Sequence, residues 1–299
     1  MTPYLPDGVT QELYPFTGKF LALNGGAKMH YLDEGAGSPV VMLHGNPSWS
    51  FYYRSLALAL RGKSRVIAPD HIGCGLSDKP GDEKYDYTLK SRVDDVEFLL
   101  DSIGVKEKIT LVVHDWGGMI GLTYAVRHPE RIEKLVILNT GAFFLPGGKS
   151  FPAALRLCRT PIGALLIRGF NAFARATAWI GCKRGRMDKQ LRDAYAAPYN
   201  SWANRLATLR FVEDIPLAPG DKAYPVVLDT QEKLNSLSAK PMLICWGLKD
   251  FVFDHYFLEQ WQRRFPGAET HAFPDCGHYI LEDAREEVTA LVKRFVENA

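Results

Sequence analysis

Four short, mostly apolar runs punctuate the first half of the chain: Val40-Val41-Met42-Leu43, Arg65-Val66-Ile67-Ala68, Ile109-Thr110-Leu111-Val112-Val113 and Leu135-Val136-Ile137-Leu138. Runs of this length without alternation are what strands buried on both faces require. Between them lie stretches with helical spacing, predicted over residues 50–60, over 89–103, and from the end of the third run through residue 124. Ahead of them, residues 20–23 and 28–32 flank Asn24-Gly25-Gly26 and read as an antiparallel pair. Strand and helix in alternation predict a mostly parallel sheet with helices on both faces.

The rhythm breaks after Leu138. Residues 142–237 show helix signals and no buried strand. It resumes at Pro241-Met242-Leu243-Ile244-Cys245-Trp246, followed by a helix over 255–265, a strand at Thr270-His271-Ala272-Phe273 and one last helix over 280–296. The expected organisation is α/β: a core of residues 1–141 and 238–299 around an eight-stranded sheet, interrupted by a helical cap at 142–237. Within the cap, Ile162, Leu165, Leu166, Phe170, Phe173 and Ile180 share one helical face, with Arg168 and Arg175 on the other side. That face is expected to pack on the core. A direct membrane contact is the alternative, and a lipid substrate would accommodate both. Lys183-Arg184-Gly185-Arg186 reads as a solvated loop rather than an anion site.

Composition narrows the class. The chain has 299 residues, 46% hydrophobic and 23% charged, which is ordinary for a soluble globular enzyme. A formal net charge of +2 and the lack of a basic stripe with interleaved aromatics argue against nucleic acid. The five cysteines, Cys74, Cys158, Cys182, Cys245 and Cys276, are scattered without metal-ligand spacing. They read as reduced thiols in a cytoplasmic protein. No signal peptide or spanning segment is legible, so any membrane contact is expected to be peripheral. No metal and no cofactor is called for.

The chemistry concentrates where apolar runs end. His114-Asp115-Trp116-Gly117-Gly118 follows the third run and predicts a strand, a sharp turn and a helix, with Asp115 at the tip. A carboxylate is already ionised at neutral pH and suits attack at a saturated or strained carbon bearing a leaving group, giving an ester on the enzyme. Asp250 closes the turn after Trp246, and His278 follows the last predicted strand. Nucleophile, acid and histidine in that order, each at the carboxyl end of a strand, predict that Asp250 holds the His278 tautomer and stabilises its charged form. The backbone N–H groups of Trp116 and Asn46 are expected to face developing negative charge, with the Trp116 indole and the Asn46 amide as further donors. His44 and His114 read as loop-fixing residues.

These residues resemble a known family. The Asp115 turn is similar to the nucleophile elbow of α/β-hydrolases. Together with His44-Gly45-Asn46-Pro47-Ser48-Trp49 and Pro69-Asp70-His71-Ile72-Gly73-Cys74-Gly75-Leu76-Ser77, it resembles the haloalkane dehalogenase branch. The resemblance implies that Asn46 and Trp116 are the leaving-group-binding side chains. One dehalogenase branch takes its acid from after the preceding strand, where this chain has Asn139, so Asp250 is the candidate. Epoxide hydrolases share the Asp-Trp elbow and use two cap tyrosines as acids, for which Tyr195 and Tyr199 are candidates. A non-catalytic ligand receptor on the same fold is a further alternative.

The cap points more narrowly. Ala197-Pro198-Tyr199-Asn200-Ser201-Trp202-Ala203-Asn204-Arg205 and Leu209-Arg210-Phe211-Val212-Glu213-Asp214-Ile215-Pro216 resemble the β-lactone decarboxylase family of bacterial long-chain olefin biosynthesis. The resemblance implies conversion of a cis-3,4-dialkyl β-lactone to a cis-alkene and carbon dioxide, with Asp115 as nucleophile and His278 as proton carrier. It also implies a hydrophobic substrate with long alkyl chains and a complex with the β-lactone synthetase and reductase of that pathway. Phe143, Phe144, Leu165, Leu166, Phe170 and Phe173 are candidates to line the tunnel for two alkyl arms. Haloalkane hydrolysis by the same residues is the second expectation.

Overall fold

The computed structural model describes residues 5–298. Eight strands form one sheet: β1 (Lys19–Ala22), β2 (Lys28–Glu34), β3 (Ser38–Leu43), β4 (Ser64–Pro69), β5 (Ile109–Asp115), β6 (Ile132–Thr140), β7 (Met242–Gly247) and β8 (Glu269–Phe273). Their spatial order is β1-β2-β4-β3-β5-β6-β7-β8. The β1–β2 and β2–β4 pairs are antiparallel, and every other pair is parallel.

The apolar runs are explained by two cores, one on each face. Val41, Leu43, Leu111, Val113 and Ile137 enter one cluster, while their neighbours Val40, Met42, Val112, Val136 and Leu138 enter the other. Both side-chain directions of a strand are therefore dry, and polar alternation would leave unpaired groups inside. The helices Leu89–Ser102 and Trp116–Arg127 cover the first face, and Arg54–Leu60 and Arg285–Glu297 the second. Parallel strands deliver their carboxyl ends to one edge, so the loops after β3, β5, β7 and β8 meet there.

Two glycines set how closely the helix after β5 approaches that edge. A Cβ on Gly117 would lie 1.8 Å from the Leu43 oxygen, and one on Gly118 would lie 1.8 Å from Thr140 Oγ1. Any side chain at either position would push the helix off β3 or β6.

Between β6 and β7 the chain is helical, including Ala153–Cys158, Pro161–Phe170, Ala172–Ile180, Lys189–Ala196, Leu206–Glu213 and Tyr224–Lys233. Tyr224–Lys233 and the turn after it bury Val227, Leu234 and Leu237 in the first core cluster.

Two expectations need correction. The last helix is not continuous: Ile280–Asp283 stops at Ala284 (φ −125, ψ 44) before Arg285–Glu297 begins. The Asp283 carboxylate at the break accepts the main-chain N–H of Gly277 at 2.6 Å and of Lys183 at 2.8 Å, tying down the loop before His278. The apolar cap face does not pack on the core either. Asn171 takes a left-handed conformation (φ 54) that splits the stretch into two helices. Gly163, Ile167, Ala174 and Ala178 turn inward, and a Cβ on Gly163 would meet the Leu157 oxygen at 2.1 Å. The small residues permit the close approach, and Ile162, Leu165, Leu166, Phe170 and Ile180 are left facing solvent, while Phe173 turns to the interior cavity.

Candidate functional site

Asp115 is the last residue of β5 and the first turn-former before Trp116–Arg127, with φ 51 and ψ −127. A non-glycine residue there is strained, and the strain presents its side chain at the sheet edge. Thr140 Oγ1 donates to the Asp115 carbonyl oxygen at 2.5 Å, fixing the bend from β6. The main-chain N–H of Asn46 donates to Asp115 Oδ1 at 2.6 Å, and that of Trp116 is also directed at the carboxylate. Gly45 lets this happen: a Cβ there would fall 2.0 Å from Asp115 Oδ1.

Asp250 and His278 complete the row. His278 Nδ1 lies 2.8 Å from Asp250 Oδ2. The other Asp250 oxygen accepts the N–H groups of Val252 at 2.8 Å and Phe253 at 3.1 Å, so the carboxylate is oriented by its own turn. His278 Nε2 stands 3.7 Å from Asp115 Oδ2, an ion-pair separation too long for a direct hydrogen bond. Burial pushes Asp115 above the usual carboxylate range, opposed by His278 and the N–H groups of Asn46 and Trp116. Burial pulls His278 down, but the charge and hydrogen bond of Asp250 and the charge of Asp115 leave it above the usual imidazole value. Each group thus titrates above its ordinary value, and each favours the charged form of the other.

Above this row lies a cavity of about 1050 Å³, counting its open mouth. Asp115, Asn46, Trp116 and His278 form its polar end; Phe143, Phe144, Leu155, Phe173, Val227 and Phe253 are among its apolar walls. Of the residues expected to line it, Leu165, Leu166 and Phe170 do not, because they lie on the outward face of their helix.

The structure brings together Asp115, His278, Asp250, Asn46 and Trp116. It adds one connection that the sequence left hidden: Asn46 Nδ2 donates to the main-chain oxygen of Thr208 at 3.1 Å. One amide hydrogen is thus committed to the cap. Asn46 Oδ1 and Thr208 Oγ1 are buried without a partner. No sequence signal links positions 162 residues apart.

The remaining candidates are scaffold. His44 Nδ1 lies 2.8 Å from the Gly45 oxygen, and its Nε2 accepts the N–H of His71 at 3.1 Å. Asn139, standing where another acid was considered, clamps Gly247 through both amide atoms at 2.8 and 3.0 Å. Tyr195 donates to Glu282 at 2.6 Å and Tyr199 to the Ser48 oxygen at 3.0 Å; both are buried and neither lines the cavity. That removes the two cap acids an epoxide-opening site needs. Asp70 is a buried node accepting from Ser50 at 2.7 Å and Leu76 at 2.9 Å, with His30 Nδ1 at 2.8 Å. Among the described residues no His, Cys, Asp and Glu cluster is placed to hold a metal, and no helix is long and apolar enough to cross a membrane.

A family described as the alpha/beta hydrolase fold matches residues 38–284. The chain belongs to the α/β-hydrolases. This hydrolase-fold chain is 61% identical over 285 residues to a cis-3-alkyl-4-alkyloxetan-2-one decarboxylase of Shewanella oneidensis, covering 95% of this chain and 89% of that protein. It is 47% identical over 297 residues to the decarboxylase of the same name from Xanthomonas campestris, covering 97% and 99%. A haloalkane dehalogenase 2 of Mycobacterium bovis is 31% identical over 291 residues, covering 95% and 96%. Among solved structures, a haloalkane dehalogenase from Bradyrhizobium elkani superimposes with a TM-score of 0.84 at 24% identity, covering 94% and 97%, which shows the shared fold.

Proposed function

We propose that this hydrolase-fold chain is a β-lactone decarboxylase, converting cis-3,4-dialkyl oxetan-2-ones to cis-alkenes and carbon dioxide. The observation that carries this is the near full-length identity of 61% to a decarboxylase so named, against 31% to a dehalogenase.

The site geometry supports a balanced route. The Asp115 carboxylate attacks ring carbon C4 from behind, breaking the C4–O bond and leaving an ester on Asp115 and a free carboxylate on C3. Trp116 and the uncommitted Asn46 N–H face that carboxylate. Backside opening places the ester oxygen and the carboxylate antiperiplanar. The C3–carboxylate bond then supplies the electrons of the C3=C4 double bond, carbon dioxide leaves, and Asp115 departs as carboxylate. Inversion followed by anti elimination keeps the two alkyl arms cis. No water is consumed. The His278 imidazolium, held charged by Asp250, stabilises Asp115 both before attack and as it leaves. Dehalogenation needs the same first step but then requires His278 to activate water.

The apolar cavity walls suit two alkyl arms. We extend the proposal to a cytoplasmic protein with peripheral membrane contact, and to a complex with the enzymes that make the lactone, since the ring compound is too apolar for bulk water. Gas chromatography on the full chain given a cis-3,4-dialkyl β-lactone tests the central reading. Cis-alkene from the wild type and none from Asp115→Ala is the expected result. No alkene above the enzyme-free blank overturns it and moves the weight to halide release from 1-bromoalkanes.

A further inference from the structure

From Phe151 to Met187 the chain carries seven basic side chains and no Asp or Glu, although its overall formal charge is only +2. Two of the three helices in this stretch, Pro161–Phe170 and Ala172–Ile180, turn large apolar residues outward. Ile162 is 66% exposed, Leu165 53%, Phe170 66% and Trp179 51%. Large apolar side chains clustered on one exposed face mark a contact surface in a soluble protein.

The polar groups around the face are of a particular kind. The Arg168 guanidinium lies 4.5 Å from the ring centre of the exposed Trp202, and that of Arg192 lies 4.1 Å from Trp179. Tryptophan beside arginine offers an apolar body with a polar or cationic tip, which is the chemistry of a lipid headgroup boundary. The acids near Arg168, Asp82 and Glu213, are both paired with Arg210.

The face is also the outer side of the cavity. Phe173 and Thr177, on the inward side of Ala172–Ile180, line it. Arg159, between the hairpin and the helix before it, donates at 2.9 Å to the oxygens of Val212 and Ile215, two further lining residues.

We infer that the Pro161–Ile180 hairpin docks this protein on an anionic phospholipid surface, with Ile162, Leu165, Phe170 and Trp179 in the headgroup–acyl boundary and the arginines at the phosphates. Charge decides the occupant. A second copy would set the same acid-free, basic segment against itself. The proposed reaction enters only as the reason such a surface is useful: an apolar substrate reaches the cavity from the lipid. The test does not depend on that reaction.

Full-length protein is sedimented with vesicles of phosphatidylcholine alone, or with about 30 mol% phosphatidylglycerol. The wild type sediments with the anionic vesicles and stays in solution with the neutral ones. Raising salt from about 0.05 to about 0.5 M releases it. Ile162→Gln with Phe170→Gln weakens partitioning about tenfold or more, with unchanged circular dichroism and an unchanged elution volume in gel filtration. Arg168→Gln with Arg175→Gln weakens it and flattens the salt dependence. Wild-type protein that ignores anionic vesicles, or an Ile162→Gln, Phe170→Gln variant that binds them equally, overturns the inference. So does a wild-type dimer that this double variant splits without any vesicle binding, which assigns the face to self-association.

Discussion

The His114 ring meets the main-chain oxygen of His278 at 2.8 Å, so the residue before Asp115 holds the loop that carries the histidine. A carbonyl only accepts, so the proton sits on His114 Nε2. Burial, reinforced by the nearby charge of His278, keeps this imidazole well below its usual pKa and therefore neutral. His114→Phe keeps the stack on Tyr52, whose ring centre is 4.4 Å away, but removes the donor. We expect kcat to fall about ten- to a hundredfold with KM little changed, and His114→Gln to recover part of it. Steady-state kinetics on the three proteins decides; equal kcat values would make the bond incidental.

The roles proposed for Asp115 and His278, an ionised nucleophile beside a charged histidine, predict a bell-shaped pH profile. Falling pH protonates Asp115 at a value raised above the carboxylate range by burial, removing the nucleophile. Rising pH neutralises His278, held above its ordinary value against burial by Asp250 and Asp115. Asp250→Asn removes a cause that raises His278, so the alkaline limb moves to lower pH. An alkaline limb that stays in place in this variant would assign it to another group.

Asn46 lines the cavity and is tied to the cap at Thr208, and the proposed reaction asks it for a donor as well. Asn46→Ala is expected to lower kcat/KM by about a hundredfold, the usual cost of one oxyanion donor. Its main-chain N–H bond to Asp115 is retained, so alkene formation is reduced rather than abolished. Product measured under single-turnover conditions separates these outcomes.

Tyr195→Phe and Tyr199→Phe are expected to change turnover by less than about threefold and to cost about 1 kcal/mol each in urea unfolding, the worth of one buried hydrogen bond. A hundredfold loss of turnover in either variant would restore the epoxide-opening reading.

Asp70 predicts part of the acid sensitivity. Burial opposes its ionisation, but His30, His44 and the Leu76 N–H prevail and bring it down to about 2. The stability it contributes is whole above the unfolded value of about 3.9 and is lost as pH falls toward about 2. Asp70→Asn should cost about 3 kcal/mol at neutral pH, as expected when one partner of a buried pair is removed. It should also flatten the stability curve below about pH 4. Urea unfolding at stepped pH reads both effects.

The strands were legible because burial on both faces leaves no choice of side chain: Val40 through Leu43 and Ile109 through Val113 read the same in sequence and in space. Asp115 was legible because a strand, a sharp turn and two close-packed glycines admit few alternatives. Other features depend on partners remote in sequence. The direction of the Ile162–Phe170 stripe is set by small residues, Gly163 above all, that hydropathy counts as weak. Thr140 and Thr208 reach the site through one hydroxyl and one carbonyl, groups that any sequence supplies. The break at Ala284 follows from Asp283 serving the loop of Gly277, a demand no helix propensity contains.

The left-handed backbone at Asp115 has a consequence for any attempt to harden this enzyme. Glycine accepts φ 51 freely, whereas a residue with a side chain gives up about 1–3 kcal/mol there. Asp115→Gly would therefore relieve that strain only by deleting the carboxylate that accepts the Asn46 N–H and faces His278, so the proposed nucleophile and an easy backbone exclude each other at this position.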